Sequence, residues 1–245
     1  MEQKNMFNNI AIIGSSGAIG AAFTNQLAAL NESATIYAFS SSAIKKGSFK
    51  NIIYHTIDYS SEASIEASAT LASNSAPLDL VVVATGLLYD NAVMPEKSLQ
   101  DLSAEKFHCL FEANTILPAL IAKHFLPKLN TDNRSIFAML SARVGSISDN
   151  RLGGWYAYRA SKAALNMLIK NAAIEFGRRH KQAIIVGLHP GTVNSHLSKP
   201  FQSNVPAKKL FSPEFCVKNL LEVLQNLTPQ SSGKCFAWDG SEIEP

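Results

Sequence analysis

The turn Ile13-Gly14-Ser15-Ser16-Gly17-Ala18-Ile19-Gly20 limits what this chain can fold into more than any other stretch. It ends an apolar run, Asn9–Ile13, and opens a helical pattern, Ala18–Leu30. Glycines here let the backbone turn tightly and approach a pyrophosphate, which the free amides of a helix N-terminus attract. The spacing is G-x-x-G-x-x-G rather than G-x-G-x-x-G, so a plain strand-to-helix turn is the competing reading. Position favours the nucleotide, because short apolar runs and helical patterns alternate along the rest of the chain. Strands are expected at Asn9–Ile13, Thr35–Phe39, Ile52–Ile57, Leu80–Ala84, Ser135–Leu140, Ala183–Leu188 and Lys234–Trp238. Several are almost wholly apolar, as strands covered on both faces must be. Helices are expected near Ala18–Leu30, Ser61–Ala72, Ala104–Leu129, Tyr156–Phe176 and Pro213–Leu227.

Seven strands alternating with helices predict an α/β chain with one doubly wound, mostly parallel sheet. Its ligand belongs beyond the carboxyl ends of the strands, where the strand order reverses. Pro118 should kink or divide the long third helix. The aperiodic stretch His196–Phe211 reads as a short substrate lid. No linker or repeat interrupts the 245 residues, so residues 1–245 are expected to form a single domain.

Composition removes the other classes. Apolar residues make up 47% and charged residues 17%, which excludes a disordered chain. The net charge is only +3, and basic residues come in ones and twos, so no nucleic-acid surface is expected. Cys109, Cys216 and Cys235 are far apart and read as buried free thiols, and no metal-ligand spacing occurs. The apolar run near Met1 is too short for a signal peptide, and no window is apolar enough to span a membrane. A cytoplasmic protein without membrane contact is the expectation.

Two further patterns carry chemistry. The second strand ends in Phe39-Ser40-Ser41-Ser42, and no acid lies between Glu32 and Asp58. An acid about 20 residues past the glycines would select the ribose 2′-hydroxyl of NAD, so its absence favours NADP, with NADPH preferred over NADH. Lys45-Lys46 would suit the 2′-phosphate, or they are a solvated turn. Tyr158 and Lys162 stand four apart on a helical segment and so share a face. An ammonium close to a phenol lowers its pKa, which makes proton exchange with a carbonyl or alcohol oxygen feasible.

Taken together, these sites resemble the short-chain dehydrogenase/reductase family over nearly the whole chain, and most closely its carbonyl-reductase-like branch with the sniffer and C-factor proteins. The resemblance rests on Gly14–Gly20, Asp58, Phe111-Glu112-Ala113-Asn114-Thr115, Ser141–Ile147, Gly153–Lys162 and His189-Pro190-Gly191-Thr192-Val193-Asn194-Ser195. It implies a Rossmann-like domain, a nicotinamide cofactor and hydride transfer to or from a small carbonyl or alcohol substrate. Tyr158 would then exchange the proton, and Lys162 would lower its pKa and hold the nicotinamide ribose. Asn114 would position a relaying water.

On the same resemblance the cofactor would meet Gly14, Ser15, Ser16, Gly17, Ile19, Gly20, Ser40, Asp58, Ala84, Gly86, Tyr158, Lys162, Pro190, Gly191, Thr192, Val193 and Ser195. Asp58 has a rival reading as a helix cap before Ser60. Three departures from the family's pattern stand out. Ala18 replaces a glycine, and Val83-Ala84-Thr85-Gly86 replaces an asparagine-rich turn. The usual catalytic serine position is Ala142, which leaves Ser141 as the candidate, with Ser146 behind it and no catalytic serine as the third alternative. The resemblance also implies a homodimer or homotetramer. The rival from another class is a dinucleotide-binding regulatory or signalling protein with little turnover.

Overall fold

The computed structural model describes residues 7–43, 47–90, 93–204, 206 and 209–245. Lys45-Lys46, considered above for the 2′-phosphate, lie outside the described residues. Among the described residues ten strands form: β1 (Asn9–Ile13), β2 (Thr35–Ser40), β3 (Ile52–Thr56), β4 (Leu80–Val83), β5 (Ser135–Leu140), β6 (Ala183–His189), β7 (Thr192–Val193), β8 (Leu210–Phe211), β9 (Cys235–Ala237) and β10 (Glu242–Ile243). Six α-helices accompany them: α1 (Ala18–Leu30), α2 (Glu62–Ala72), α3 (Ala104–Phe111), α4 (Leu117–Phe125), α5 (Tyr156–Gly177) and α6 (Pro213–Asn226).

Eight strands lie in one sheet in the order β10-β9-β6-β5-β4-β1-β2-β3, and every pairing is parallel except β10 with β9. The chain runs outward from β1 to β3, then crosses back to β4 on the other side of β1. The order therefore reverses between β1 and β4, and their carboxyl ends border the crevice where such sheets bind ligands.

Period-2 alternation divides the core in two. Ile10 and Ile12 of β1 join Phe23 of α1 and Leu220 of α6 on one face. Ala11 and Ile13 join Phe125 of α4 and Ile169 of α5 on the other. The apolar runs of the central strands follow from this double burial, as Ile136 and Phe137 of β5 are fully enclosed on opposite faces. The α6 start forms as its sequence dictates, with Ser212 Oγ accepting the Phe215 amide and Pro213 in the first turn.

Three features differ from the sequence expectation. The long third helix is divided into α3 and α4, not at Pro118 itself but by a π-turn at Glu112–Ile116 just upstream. Pro118 has no N–H for the Asn114 carbonyl and its ring crowds that oxygen, so the preceding turn opens to i→i−5 bonding, with the Leu117 amide reaching Glu112 O. The antiparallel β10 and the small β7–β8 pair were not expected, since two residues are too few to show a period. The stretch expected as a loop forms short helical turns over His196–Asn204 before β8. No helix among the described residues is long and apolar enough to cross a membrane.

Candidate active site

The first part of the site is the β1–α1 turn. Gly14 has φ +89°, and a Cβ there would lie 2.9 Å from the Ala84 carbonyl carbon, so β1 and β4 can meet only through glycine. Gly17 caps α1 with no side-chain hydrogen bond, and the first turn holds no acid. The positive end of the helix therefore stays open to an anion. Ser16 and Gly17 are exposed in front of it, with Ile19 half-buried behind and Gly20 packed against Gly14. Ser15 is turned inward, its hydroxyl donating to Phe39 O at 2.8 Å, so only its main chain can face a ligand.

Two buried hydroxyls flank this turn without a partner: Thr85 Oγ1, beyond β4, and Tyr59 Oη, beyond β3. Burial pushes the Tyr59 phenol up to about 12, with the Gly14 backbone close enough to pull it slightly back. An unpaired buried hydroxyl costs about 1–3 kcal/mol, so hydroxyls left open along a crevice mark where a polar ligand fits. The open helix end, the glycine cradle and these two hydroxyls suit a dinucleotide. Sequence reasoning missed Thr85 and Tyr59; the only signal was a threonine ending a run of valines.

Ser40 ends β2 fully buried and forms a small turn by accepting the Ser42 amide. Asp58 is placed after β3, but its carboxylate accepts both the amide and the hydroxyl of Ser60, which hold its pKa low. Asp58 thus closes a local turn onto Ser60 and is not the cap of α2, which is Ser61, and its adenine contact is left without support from this geometry. Across the sheet, Pro190 and Gly191 follow β6, and Gly191 has φ +72°. Thr192 and Val193 form β7, and the Ser195 amide is taken by Ser198 Oγ.

The second part stands on α5. Tyr158 and Lys162 share one face, with the Lys162 ammonium 5.9 Å from the Tyr158 ring centroid. Lys162 Nζ donates to Leu140 O at 3.0 Å, which ties α5 to the end of β5. The π-turn carries Asn114 inward to full burial, where Nδ2 donates to Leu87 O and Ser161 Oγ while Oδ1 accepts the Leu87 amide. Gly86 is where these groups converge: a Cβ there would be 3.4 Å from Asn114 Oδ1 and 3.7 Å from Lys162 Nζ. Tyr158, Lys162, Asn114 and Gly86 are thus brought together, and the β4 turn with Ala84 lies between them and Gly14.

The electrostatics depart from the simple expectation. Burial pushes the Tyr158 phenol up to about 12 and the Lys162 ammonium down to about 8. Desolvation of each group outweighs their mutual attraction, so at neutral pH the tyrosine holds its proton and the lysine is largely charged. That state suits a proton donor to a carbonyl oxygen. His189 is also buried, and burial followed by the nearby Arg143 takes it down to about 4, so it stays neutral.

The serine expectation gains no support from the geometry. Ser141 does not face Tyr158: its hydroxyl donates to Asn166 Oδ1 at 2.6 Å, one helical turn below Lys162. Ala142 has extended dihedrals and packs with the cluster around Tyr158 instead. Alternation continued past Leu140 puts Ser141 on the α5 face of the sheet, where it meets Asn166. Ser146 is buried and capped by the Asp149 amide in the following loop. The cysteine expectation holds in part: Cys216 and Cys235 are buried free thiols, whereas Cys109 is partly exposed beside the Tyr158 cluster.

The start of α5 is unusual. Trp155, its N-cap, has φ 52° and ψ 43°, the one non-glycine residue with positive φ among those described. Its amide donates to Glu96 O at 2.6 Å, and the buried Glu96 carboxylate accepts the Ala157 amide, a cap supplied from another loop.

The family model for short chain dehydrogenases matches residues 8–206. A 1-hydroxy-2-glutathionyl-2-methyl-3-butene dehydrogenase of Rhodococcus sp. (strain AD45) is 30% identical over 189 residues, covering 77% of this chain and 78% of that one. The C-signal protein of Myxococcus xanthus is 34% identical over 133 residues, covering 54% and 75%. Among solved structures, the NADPH-bound carbonyl reductase from chicken fatty liver superposes with a TM-score of 0.81 at 24% identity, covering 96% of this chain and 93% of that one. The carbonyl reductase Sniffer of D. melanogaster gives 0.81 at 19% identity, covering 97% and 99%. At those identities the structural likeness speaks to the fold.

Proposed function

The chain belongs to the short chain dehydrogenase family, and from that premise we propose that it is an NADPH-dependent reductase of small, largely apolar carbonyl compounds. It is a short-chain dehydrogenase/reductase enzyme; the cofactor preference, the substrate class and the residue roles are our reading. One observation carries it: Tyr158 and Lys162 meet Asn114 at Gly86, on the rim of a crevice whose other end is the open N-terminus of α1.

A bound nicotinamide dinucleotide would supply the hydride. The α1 amides with Ser16 and Gly17 would hold its phosphates, and Thr85 and Tyr59 would offer hydroxyls along its length. With no acid at the end of β2, nothing there would repel a 2′-phosphate. Tyr158 Oη donates its proton to the carbonyl oxygen of the substrate. Lys162, held by Leu140 O, keeps a positive charge beside the phenol and stabilises it as the proton leaves. Asn114 fixes the loop after β4 through Leu87 and so keeps Gly86 clear.

Titration with NADPH and with NADH, read by thermal shift, tests the cofactor: we expect stabilisation at lower concentrations of NADPH. Equal response to both would remove the 2′-phosphate argument, and no response to either would remove the reductase reading.

A second reading has a specific observation behind it. Ala142 leaves no hydroxyl beside Tyr158 from β5, which suits a dinucleotide-binding signalling protein of low turnover. Turnover of simple carbonyl compounds at ordinary enzyme rates would dispose of it. We also expect a homodimer or homotetramer, since Met167 and Ile174 of α5 expose apolar side chains; sedimentation of the purified chain tests this.

A further inference from the structure

Five rings from three separate segments, Tyr158 at one end, form a line of contacts. Trp155 lies 6.1 Å from Tyr158 at 71°, and Phe201 lies 5.0 Å from Trp155 at 58°. Tyr89 meets Phe201 edge-on at 5.8 Å, and His196 meets Tyr89 at 5.7 Å. Phe201 and His196 belong to the helical turns after β7, and Tyr89 Oη donates to His196 O at 2.6 Å, which fastens those turns over the site. None of these contacts is a parallel stack.

Core packing does not account for the arrangement. The core phenylalanines Phe23, Phe39, Phe125 and Phe137 are fully enclosed, whereas Trp155, Phe201 and Tyr89 are only half-buried. Trp155 is moreover held in a left-handed conformation that bulky residues rarely adopt, following Gly153 and Gly154, which also have positive φ. Backbone strain of this kind persists only where the surroundings enforce it, and it gathers at ligand clamps. Here the Glu96 carbonyl enforces it, and the result is an indole placed between Tyr158 and Phe201.

We propose that Trp155, Phe201 and Tyr89 form an aromatic slot that selects carbonyl compounds bearing an aryl ring next to the carbonyl group. The inference rests on the reductase reading for its substrate class, though the slot itself is a matter of binding. An incoming aryl ring gains edge-to-face contacts with these rings, which a saturated ring of the same size cannot make. The substrate carbonyl then lies towards Tyr158, in surroundings kept apolar by Leu88, Val93 and Ala142.

The test compares acetophenone with cyclohexyl methyl ketone, alike in bulk and different in π-system. Affinity is measured by isothermal titration calorimetry on the full chain saturated with NADP+, where no hydride can pass, and turnover separately with NADPH. We expect acetophenone to bind about tenfold more tightly, which one or two ring contacts supply. Phe201→Leu should reduce that preference below about threefold while NADP+ affinity is unchanged, and Trp155→Leu provides a second variant should the first lose its fold. Equal affinities in the wild type, or a preference that survives both substitutions, overturn the slot. A preference for acetophenone without turnover of either ketone upholds the slot and ends the reductase reading, whereas equal affinities with turnover of both do the reverse. If NADP+ does not bind, the same affinities measured on the chain alone decide the matter.

Discussion

The two ends of the crevice are built from different materials. At the β1–α1 end the working parts are main-chain amides, glycines and two buried hydroxyls, and there is almost no side chain to vary. At the α5 end the proposed working parts are the side chains of Tyr158, Lys162, Trp155 and Phe201, of which Trp155 stands on a strained backbone. A dinucleotide presents the same phosphates to every member of a family, so backbone geometry suffices to hold it. A substrate must be chosen and a proton moved, and only side chains with adjusted environments do either. Substitutions should therefore separate cleanly: binding failures at one end, rate and pH failures at the other.

The largest effect tests that division at its catalytic end. Tyr158→Phe should lower kcat by about 10²–10⁴-fold, the usual worth of a positioned acid, with NADPH affinity unchanged. Steady-state kinetics beside a thermal shift would show it, and a full rate without the hydroxyl would break the comparison. At the other end, Gly14→Ala places a Cβ 2.9 Å from main chain at a positive φ. We expect a loss of about 2–4 kcal/mol in a denaturant melt. Gly86→Ala should sharpen the contrast, because its Cβ meets only ordinary contacts within the protein. That variant should melt near the wild type yet bind NADPH at least about tenfold more weakly, as a methyl group in a close approach would require.

The pH dependence comes next in size. Burial lowers Lys162 from 10.5 to about 8, so between those values the unfolded chain binds the proton that the folded chain has lost. The Lys162 contribution to stability should therefore rise with pH across that window, by up to about 3 kcal/mol, read as the difference between the wild type and Lys162→Met, because the buried thiols of Cys216 and Cys235 titrate with the opposite sign above pH 9. Reduction should run in the opposite sense, declining as pH passes about 8, because the charge beside Tyr158 disappears while Tyr158 keeps its proton to about 12. The smallest effect concerns Ser141. Its hydroxyl pins Asn166, so Ser141→Ala should cost about 1–2 kcal/mol of stability and change kcat by less than about threefold. A hundredfold fall in kcat would restore Ser141 to the chemistry.

The same division governs how much could be read in advance. β1, β5 and α1 form where the periodicity placed them, and the other strands of the parallel core differ by a residue or two, since double burial leaves an unmistakable apolar run. The pairing of Tyr158 with Lys162 was legible from helical spacing alone, and Gly14 from its place after β1. The direction of Ser141 was not legible, because the choice between it and Ala142 depends on whether a strand stays regular one residue past its apolar run. Thr85 and Tyr59 were invisible, because a hydroxyl becomes informative only once it is seen buried and unpartnered. The contacts of Phe201 were equally out of reach, since nothing local tells which distant ring it will meet.

The π-turn at Glu112–Ile116 has a consequence for how such a site changes over time. One additional residue in a helical turn advances everything beyond it by about 100°. Asn114 therefore faces Leu87 and Ser161 because of a count, and not only because of its own chemistry. Deleting a single residue from that turn would leave composition and apolar content nearly untouched while swinging the amide out of register with α4. For this part of the molecule, insertion and deletion are sharper instruments than substitution, and an alignment that slides one gap by one position would misidentify the amide altogether.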